Sequence, residues 1–133
     1  MSDFNLNARL QKDSHFIADL DLCQLRLIDN CDFPWVVLIP RVKQIVEITD
    51  LNEAQYAMLN NETRAITQTM QNTFSADKIN IATIGNVVEQ LHMHIIARYR
   101  NDKLFPKPVW GHEMTRYEEK NLLKTIELIK NAL

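Results

Sequence analysis

Residues 90–98 read QLHMHIIAR and combine a regular hydropathy pattern with two histidines. Polar and apolar side chains alternate at the first positions, and successive side chains of a β-strand point to opposite faces. We therefore predict a strand over 90–98, with Gln90, His92 and His94 along one face over roughly 13 Å. The apolar residues between them would anchor the opposite face in the core. The polar face thus indicates a site or a water-filled cleft.

The segments around this strand predict an α+β fold with an antiparallel sheet. The apolar run Trp35–Ile39, closed by Pro40, predicts a strand that is buried on both faces. Alternating patterns predict further strands over 19–28 and 78–84, and the polar residues 29–32 predict a turn. The paired strands are too close in sequence for helical crossovers, which favours a small antiparallel meander with helices packed on it.

Capping patterns predict where the helices begin. A long helix is predicted to begin at Asp50, with Glu53 in an acidic form of the capping box. The last helix is predicted to begin at Thr115, with Glu118 in the same position. The apolar stripes that would face the core are Leu51, Ala54, Met58, Ala65, Ile66, Met70 and Phe74 in the long helix and Leu122, Ile126, Ile129 and Leu133 in the last. The remaining predicted segments are a short helix over 5–12 and an extended loop over 101–112.

The composition indicates a globular domain and excludes several function classes. The 133 residues suit one domain, and 46% apolar with 24% charged residues is typical of globular proteins. A net charge of −2 argues against a protein that binds nucleic-acid polymers through their phosphates. Only Gly85 and Gly111 are present, which excludes glycine-rich phosphate loops and dinucleotide fingerprints.

The same sequence predicts a cytoplasmic protein without a membrane partner. No apolar run approaches the roughly 18–20 residues of a membrane helix. The polar N-terminal residues 1–16 contain no signal-peptide core. Two cysteines, Cys23 and Cys31, form no disulfide framework or zinc motif, so we expect free thiols in a reducing compartment.

Three interpretations of the polar face of 90–98 remain open. The side chains could be solvated or hydrogen-bonded residues of a half-exposed strand. A His-x-His pair on a strand could also chelate a metal, but that site needs further ligands, and His15 and His112 lie far away in sequence. We therefore expect neither a metal nor a cofactor. The third interpretation is nucleophilic catalysis by an imidazole.

The segment resembles the signature of the histidine triad family, His-φ-His-φ-His-φ-φ, in which φ is apolar. Gln90 stands at the first triad position, which resembles a bacterial branch with glutamine there, and His92 and His94 stand at the middle and last positions. The other segments that resemble the family are Leu27–Asn30 with Trp35–Arg41, Gly85–Asn86 and Pro108–Gly111. The resemblance covers roughly residues 5–112, so we predict a histidine triad domain over 1–112 and a C-terminal helical segment over 113–133 packed on it. The family resemblance also implies a homodimer with an extended antiparallel sheet.

The resemblance implies a nucleotide hydrolase or nucleotidyl transferase. The middle histidine, His92, would attack the α-phosphate of a nucleotide derivative and form a nucleotidyl-histidine intermediate. The last histidine, His94, would help to hold the phosphate oxygens or the hydrogen-bond network of the site. The residues implied to contact the substrate are Asp29 or Asn30 at the ribose hydroxyls and Gly85 and Asn86 at the phosphate.

The glutamine at the first triad position has a chemical consequence. The Gln90 amide would donate a hydrogen bond and position a phosphate in the catalytic site, but an amide does not transfer a proton as a general acid. Leaving groups that depart as anions tolerate this, whereas amines must be protonated. We therefore expect better turnover of dinucleoside polyphosphates, such as diadenosine tetraphosphate, than of nucleoside phosphoramidates. The alternative is a non-catalytic nucleotide-binding module.

Overall fold

A five-stranded antiparallel sheet carries three helices in the computed structural model, which describes residues 4–133. The elements are α1 (Ala8–Asp13), β1 (Ser14–Asp19), β2 (Cys23–Ile28), β3 (Trp35–Pro40), α2 (Glu53–Phe74), β4 (Lys78–Ala82), β5 (Met93–Arg98) and α3 (Glu119–Asn131). The strand order is β1-β2-β3-β5-β4, and every neighbouring pair is antiparallel. This confirms the predicted α+β class. Residues 1–3, the start of the predicted domain 1–112, lie outside the described residues.

Strand β3 separates two apolar cores because its side chains alternate between the faces of the sheet. All six of its residues are buried, as its continuous apolar run predicts. Val36 and Leu38 belong to the core that α2 and α3 cover, together with Leu59 and Ile129. The opposite core contains Trp35, Val37, Ile39, Ile96, Leu10 of α1 and Val109 of the loop before α3. The candidate histidine site lies on this second face.

The N-terminal part of the sheet differs from the sequence prediction. The strand predicted over 19–28 corresponds to β2 and the turn before it. Strand β1, which ends at Asp19 and pairs with β2 as a hairpin, was not revealed by the pattern. The Glu62 carboxylate of α2 accepts hydrogen bonds from the backbone N–H groups of Leu22 and Cys23, at 2.8 and 2.9 Å. This tertiary contact satisfies the backbone of the turn, so its position was not visible in the local pattern.

Both predicted helix starts are wrong by a few residues. Asn52, not Asp50, caps α2, and it forms a capping box with Gln55. Asp50 instead ends a short 3₁₀ turn and accepts hydrogen bonds from the N–H groups of Val46 and Glu47. Helix α3 begins after Glu118 rather than Thr115.

The predicted core stripes are only partly correct. Leu59 of α2, which the prediction omitted, is fully buried, whereas Ala54 and Ala65 of the same helix are exposed. Ile129 of α3 is buried and Leu133 is half exposed. The short first helix lies at 8–13 rather than 5–12. A helical stripe is about 100° wide, so a one-residue error in phase exchanges core and surface positions at its edges.

The loop over 101–112 contains neither helix nor strand, as predicted, and is anchored by one buried ion pair. Arg98 is almost completely buried and donates two hydrogen bonds to the Asp102 carboxylate, at 2.9 and 3.1 Å. Its guanidinium therefore contacts the loop rather than solvent. Among residues 4–133, no helix has the length and apolar character to span a membrane.

Candidate functional site

The two histidines of residues 90–98 line an open cavity of about 530 Å³ on the sheet face opposite α2. The walls come from α1, from the loop between β4 and β5, and from the loop before α3. The lining residues are Arg9, Leu10, Asp13, Ile28, Trp35, Ile84, Gly85, Asn86, Val87, Val88, His92, His94, Trp110, Gly111 and Met114. A volume of this size lies within the range of small-molecule sites.

His92 is held by its own chain in one tautomer. Its Nδ1 lies 2.6 Å from the backbone carbonyl oxygen of Gln90, and since a carbonyl only accepts, Nδ1 carries the proton. The lone pair of the neutral ring is then on Nε2. Burial lowers the pKa of His92 below its ordinary value, although the hydrogen bond to Gln90 opposes part of that shift. His92 is therefore a neutral imidazole with a basic nitrogen at Nε2.

His94 is held in the opposite tautomer by a residue from the neighbouring strand. The indole Nε1 of Trp35 donates a hydrogen bond to His94 Nδ1 at 3.0 Å. An indole nitrogen only donates, so the proton of the neutral His94 ring is on Nε2. Burial and the neighbouring His92 lower the pKa of His94 to about 3. The ring is thus neutral and presents a donor where His92 presents an acceptor.

Aromatic and apolar side chains surround the histidine pair. The Trp110 ring lies edge-on to His94 at a centroid distance of 5.3 Å and to Trp35 at 5.9 Å. Ile84 and Val87 also line the cavity, and both side chains are exposed. An apolar rim beside two neutral imidazoles suits a ligand with both a flat ring and a polar group.

Gly85 and Asn86 lie in the cavity wall, and phosphate binding by either residue stays a prediction. Gly85 has a φ of 68°, in the left-handed region that favours glycine. A Cβ atom there would meet nothing closer than the Val88 carbonyl oxygen at 3.7 Å. The backbone conformation, rather than lack of space, therefore requires glycine at this turn.

The structure does not bring the Gln90 side chain into this cavity. Its Oε1 accepts from the backbone N–H of Asn7 at 2.8 Å, and its Nε2 donates to the carbonyl oxygen of Asn5 at 2.9 Å. Residues 90–92 precede β5, which begins only at Met93, so the side-chain alternation predicted from residue 90 starts later. The backbone carbonyl of Gln90 contacts His92, while its amide binds the N-terminal segment.

Asp29 and Asn30 also do not line the cavity. The Asp29 carboxylate accepts from Arg116 Nη1 and from the backbone N–H of Tyr117, both at 2.9 Å, and lies 3.3 Å from His15 Nε2. Burial by itself would raise the pKa of Asp29, but these three partners together lower it. Asn30 accepts from the N–H of Asp32 in the turn after β2. Ribose binding by either residue stays a prediction.

Several cavity residues were not singled out as site residues from the sequence, and Trp35, Arg9 and Met114 are among them. Trp35 was predicted only as part of a strand buried on both faces, yet its indole also donates a hydrogen bond to His94. Arg9 brings a cationic side chain to the rim, with its Nε 3.6 Å from Asp13 Oδ2. Met114 belongs to the wall before α3. No local motif marks these positions, because the cavity is formed by segments that are distant in sequence.

The described residues offer little that could hold a metal. Within 4–133, no group of three or more His, Cys, Asp or Glu side chains is placed to bind an ion. Cys23 is buried and Cys31 exposed, and both are free thiols. The two ring nitrogens that could reach the cavity are Nε2 of His92 and Nε2 of His94. Only His92 has a lone pair there to offer a metal, because His94 Nε2 carries a proton.

Comparisons with known proteins agree on one family. The HIT domain model matches residues 9–101. A histidine triad (HIT) protein from Sinorhizobium meliloti is 36% identical, with a TM-score of 0.97 over 100% of this chain and 99% of that chain. A histidine triad protein from Marinobacter aquaeolei is 37% identical, with a TM-score of 0.95 over 98% and 96%.

A more distant structure shares the fold alone. A diadenosine triphosphate hydrolase from Plasmodium falciparum is 18% identical, with a TM-score of 0.70 over 96% of this chain and 80% of that chain. No curated protein matches this chain significantly.

Proposed function

The chain belongs to the histidine triad (HIT) family, and we propose that it is a nucleotide hydrolase or nucleotidyl transferase that acts on the α-phosphate of a nucleotide derivative. The observation that carries the proposal is the state of His92, a buried neutral imidazole whose Nδ1 donates to the Gln90 carbonyl. This contact leaves the lone pair of His92 on Nε2, and His92 lines the cavity. A nucleophilic imidazole needs such a lone pair and an ordered second nitrogen.

In the first step, Nε2 of His92 attacks the α-phosphorus. A nitrogen–phosphorus bond forms, the bond from phosphorus to the leaving-group oxygen breaks, and that oxygen departs with the electron pair. The His92 ring then carries a positive charge. Its Nδ1–H donates to the Gln90 carbonyl oxygen, which lies 2.6 Å from Nδ1 in the free protein, and this hydrogen bond stabilises the charged ring.

In the second step, water attacks the same phosphorus. The nitrogen–phosphorus bond breaks, its electron pair returns to Nε2, and the water proton passes to solvent. The products are a nucleoside monophosphate and the regenerated neutral His92. In a transferase, another hydroxyl or phosphate takes the place of water.

The donors in the cavity favour leaving groups that depart as anions. A neutral imidazole such as His94 donates a hydrogen bond, but it is a weak acid at pH 7. Arg9 adds positive charge at the rim. The side chain of Gln90 supplies no proton, since it is hydrogen-bonded to residues 5 and 7. We therefore propose dinucleoside polyphosphates, such as diadenosine tetraphosphate, as better substrates than phosphoramidates.

The proposal includes a homodimer in the cytoplasm. Strand β4 lies at the edge of the sheet, and edge strands offer unpaired backbone groups to a second chain. Ile81 of this strand is half exposed beside a surface cavity that α2 lines.

The two free cysteines suit a reducing compartment. A bacterial branch of the family with glutamine at position 90, and one domain that includes 113–133, complete the proposal.

The test is a panel of nucleotide substrates, assayed without added metal and followed by mass spectrometry. We expect wild-type protein to hydrolyse diadenosine tetraphosphate and to show a transient nucleotidyl adduct on His92. His92→Ala removes both, while His112→Ala, at an exposed histidine outside the cavity lining, retains both. Nucleotide binding without turnover or adduct would instead identify a non-catalytic binding module and refute the proposal.

A further inference from the structure

We propose that Trp35 is a positioning residue, which holds His94 in the tautomer protonated on Nε2 so that His94 donates a hydrogen bond to a phosphoryl oxygen. This inference rests on the proposed function for its role in turnover. The protonation state that it assigns to His94 is a property of the free protein and is measurable without a substrate.

The sheet register brings the two side chains together. Strands β3 and β5 are antiparallel, with Val37 opposite His94 and Trp35 opposite Ile96. Trp35 and Val37 are two residues apart and therefore share a face, so Trp35 and His94 are diagonal neighbours on that face. The indole Nε1 lies 3.0 Å from His94 Nδ1, and both side chains are buried.

The chemistry of the two groups leaves one favourable protonation state. An indole N–H has no lone pair to accept a hydrogen bond. Protonation of His94 on Nδ1, in the other tautomer or in the cation, would place two N–H groups against each other in a buried site. Trp35 thus favours the neutral ring with its proton on Nε2.

The consequence is a pair of rings with complementary roles. The centroids of His92 and His94 are 4.7 Å apart. The Gln90 carbonyl leaves His92 with a lone pair on Nε2, and Trp35 leaves His94 with a proton on Nε2. If His94 adopted the other tautomer, its lone pair would repel the phosphoryl oxygens instead of stabilising the charge that develops on them.

The chain contains a matched control for this contact. Trp110 also touches the His94 ring, at a centroid distance of 5.3 Å, but its Nε1 is buried without a hydrogen-bond partner among the described residues. Trp35→Phe and Trp110→Phe make the same chemical change beside the same histidine. Only the first removes a hydrogen bond to His94.

The experiment combines nitrogen NMR of the histidine side chains with steady-state kinetics. In wild-type protein we expect the His94 signals of a ring protonated on Nε2, persisting below pH 6. Trp35→Phe should mix the tautomers and lower kcat about 100-fold with a smaller change in KM. Trp110→Phe should leave the His94 tautomer unchanged, whatever its effect on substrate binding.

If Trp35→Phe unfolds the protein, a second variant tests the same hydrogen bond while preserving the shape of the bicyclic ring at position 35. In the Trp110→Phe background, tryptophan is replaced biosynthetically by benzothienylalanine, which lacks the N–H at position 35. The proposal is overturned if wild-type His94 is protonated on Nδ1, or if loss of the indole N–H leaves the tautomer or kcat unchanged. Absence of hydrolysis in wild-type protein with the expected tautomer would refute the proposed function and leave the Trp35–His94 assignment intact.

Discussion

The side chain of Gln90 is hydrogen-bonded to Asn7, the residue that caps α1. Gln90 Oε1 accepts from the Asn7 N–H at 2.8 Å, while Asn7 Oδ1 accepts from Arg9 N–H at 2.8 Å and from Leu10 N–H at 3.4 Å. Arg9 and Leu10 line the cavity. The first triad position therefore supports the α1 wall of the site, rather than contacting the space between the two histidines.

Replacing Gln90 by alanine should loosen this wall. Gln90→Ala removes two hydrogen bonds, each worth about 1 kcal/mol, so we expect a loss of roughly 1–2 kcal/mol in the free energy of unfolding, measured by denaturant titration. Amide exchange should accelerate in α1. Gln71→Ala, at an exposed position of α2, is the control and should change neither. Unchanged exchange in α1 would contradict the supporting role.

Placing a histidine at the first triad position should not create a proton donor for amine leaving groups. The side chain at position 90 contacts residues 5 and 7 and does not line the cavity. We expect the ratio of phosphoramidate to polyphosphate turnover in Gln90→His to stay within about threefold of wild type, because a general acid contributes about 10²–10⁴-fold when it reaches the leaving group. A rise of tenfold or more would show that residue 90 reaches the leaving group.

Arg116 should affect substrate binding through the wall before α3. Its guanidinium donates to Asp29 Oδ2 and to Asp13 Oδ1, both at 2.9 Å, and so ties the segment containing Met114 to the sheet. The Arg116 side chain is 50% exposed, so the ion pairs contribute less than about 1 kcal/mol to stability. We expect Arg116→Ala to raise KM several-fold with kcat nearly unchanged. Arg100→Ala, at another exposed arginine, should leave KM unaltered.

The buried histidines should make the fold sensitive to acid. Burial lowers the pKa of His92, and burial with the neighbouring His92 lowers that of His94 from 6.5 to about 3. Below pH 6.5 the unfolded chain therefore binds protons that the folded chain does not. The contribution of the two histidines to the free energy of unfolding is therefore fully present above pH 6.5. It falls as the pH decreases, by at most about 1.4 kcal/mol per pH unit for each group.

A variant separates the contribution of His94 from the contributions of the carboxylates and of the other histidines. His94→Asn removes one of the two groups, so the slope of stability against pH between 6.5 and 4 should become shallower. His112→Asn, at an exposed histidine, should leave the slope unchanged. Equal slopes in all three proteins would show that His94 titrates normally in the folded state.

Much of the architecture followed from local patterns. The apolar run Trp35–Ile39 predicted a strand buried on both faces, and β3 is buried throughout. The turn after β2 and the loop over 101–112 were also predicted correctly. The hairpin of β1 and β2 was not, because its turn is stabilised by Glu62 of α2, about 40 residues away.

The sequence by itself determined that His92 and His94 share a side of the chain and that a histidine triad motif is present, because side-chain alternation and motif spacing are local properties. Only the tertiary structure decided the partners of the site residues. Trp35 meets His94 across 59 residues, Gln90 meets Asn7 across 83, and Asp29 meets Arg116 across 87. Such contacts depend on strand register and on the packing of loops, which set the direction of each hydrogen bond and hence the protonation of each ring.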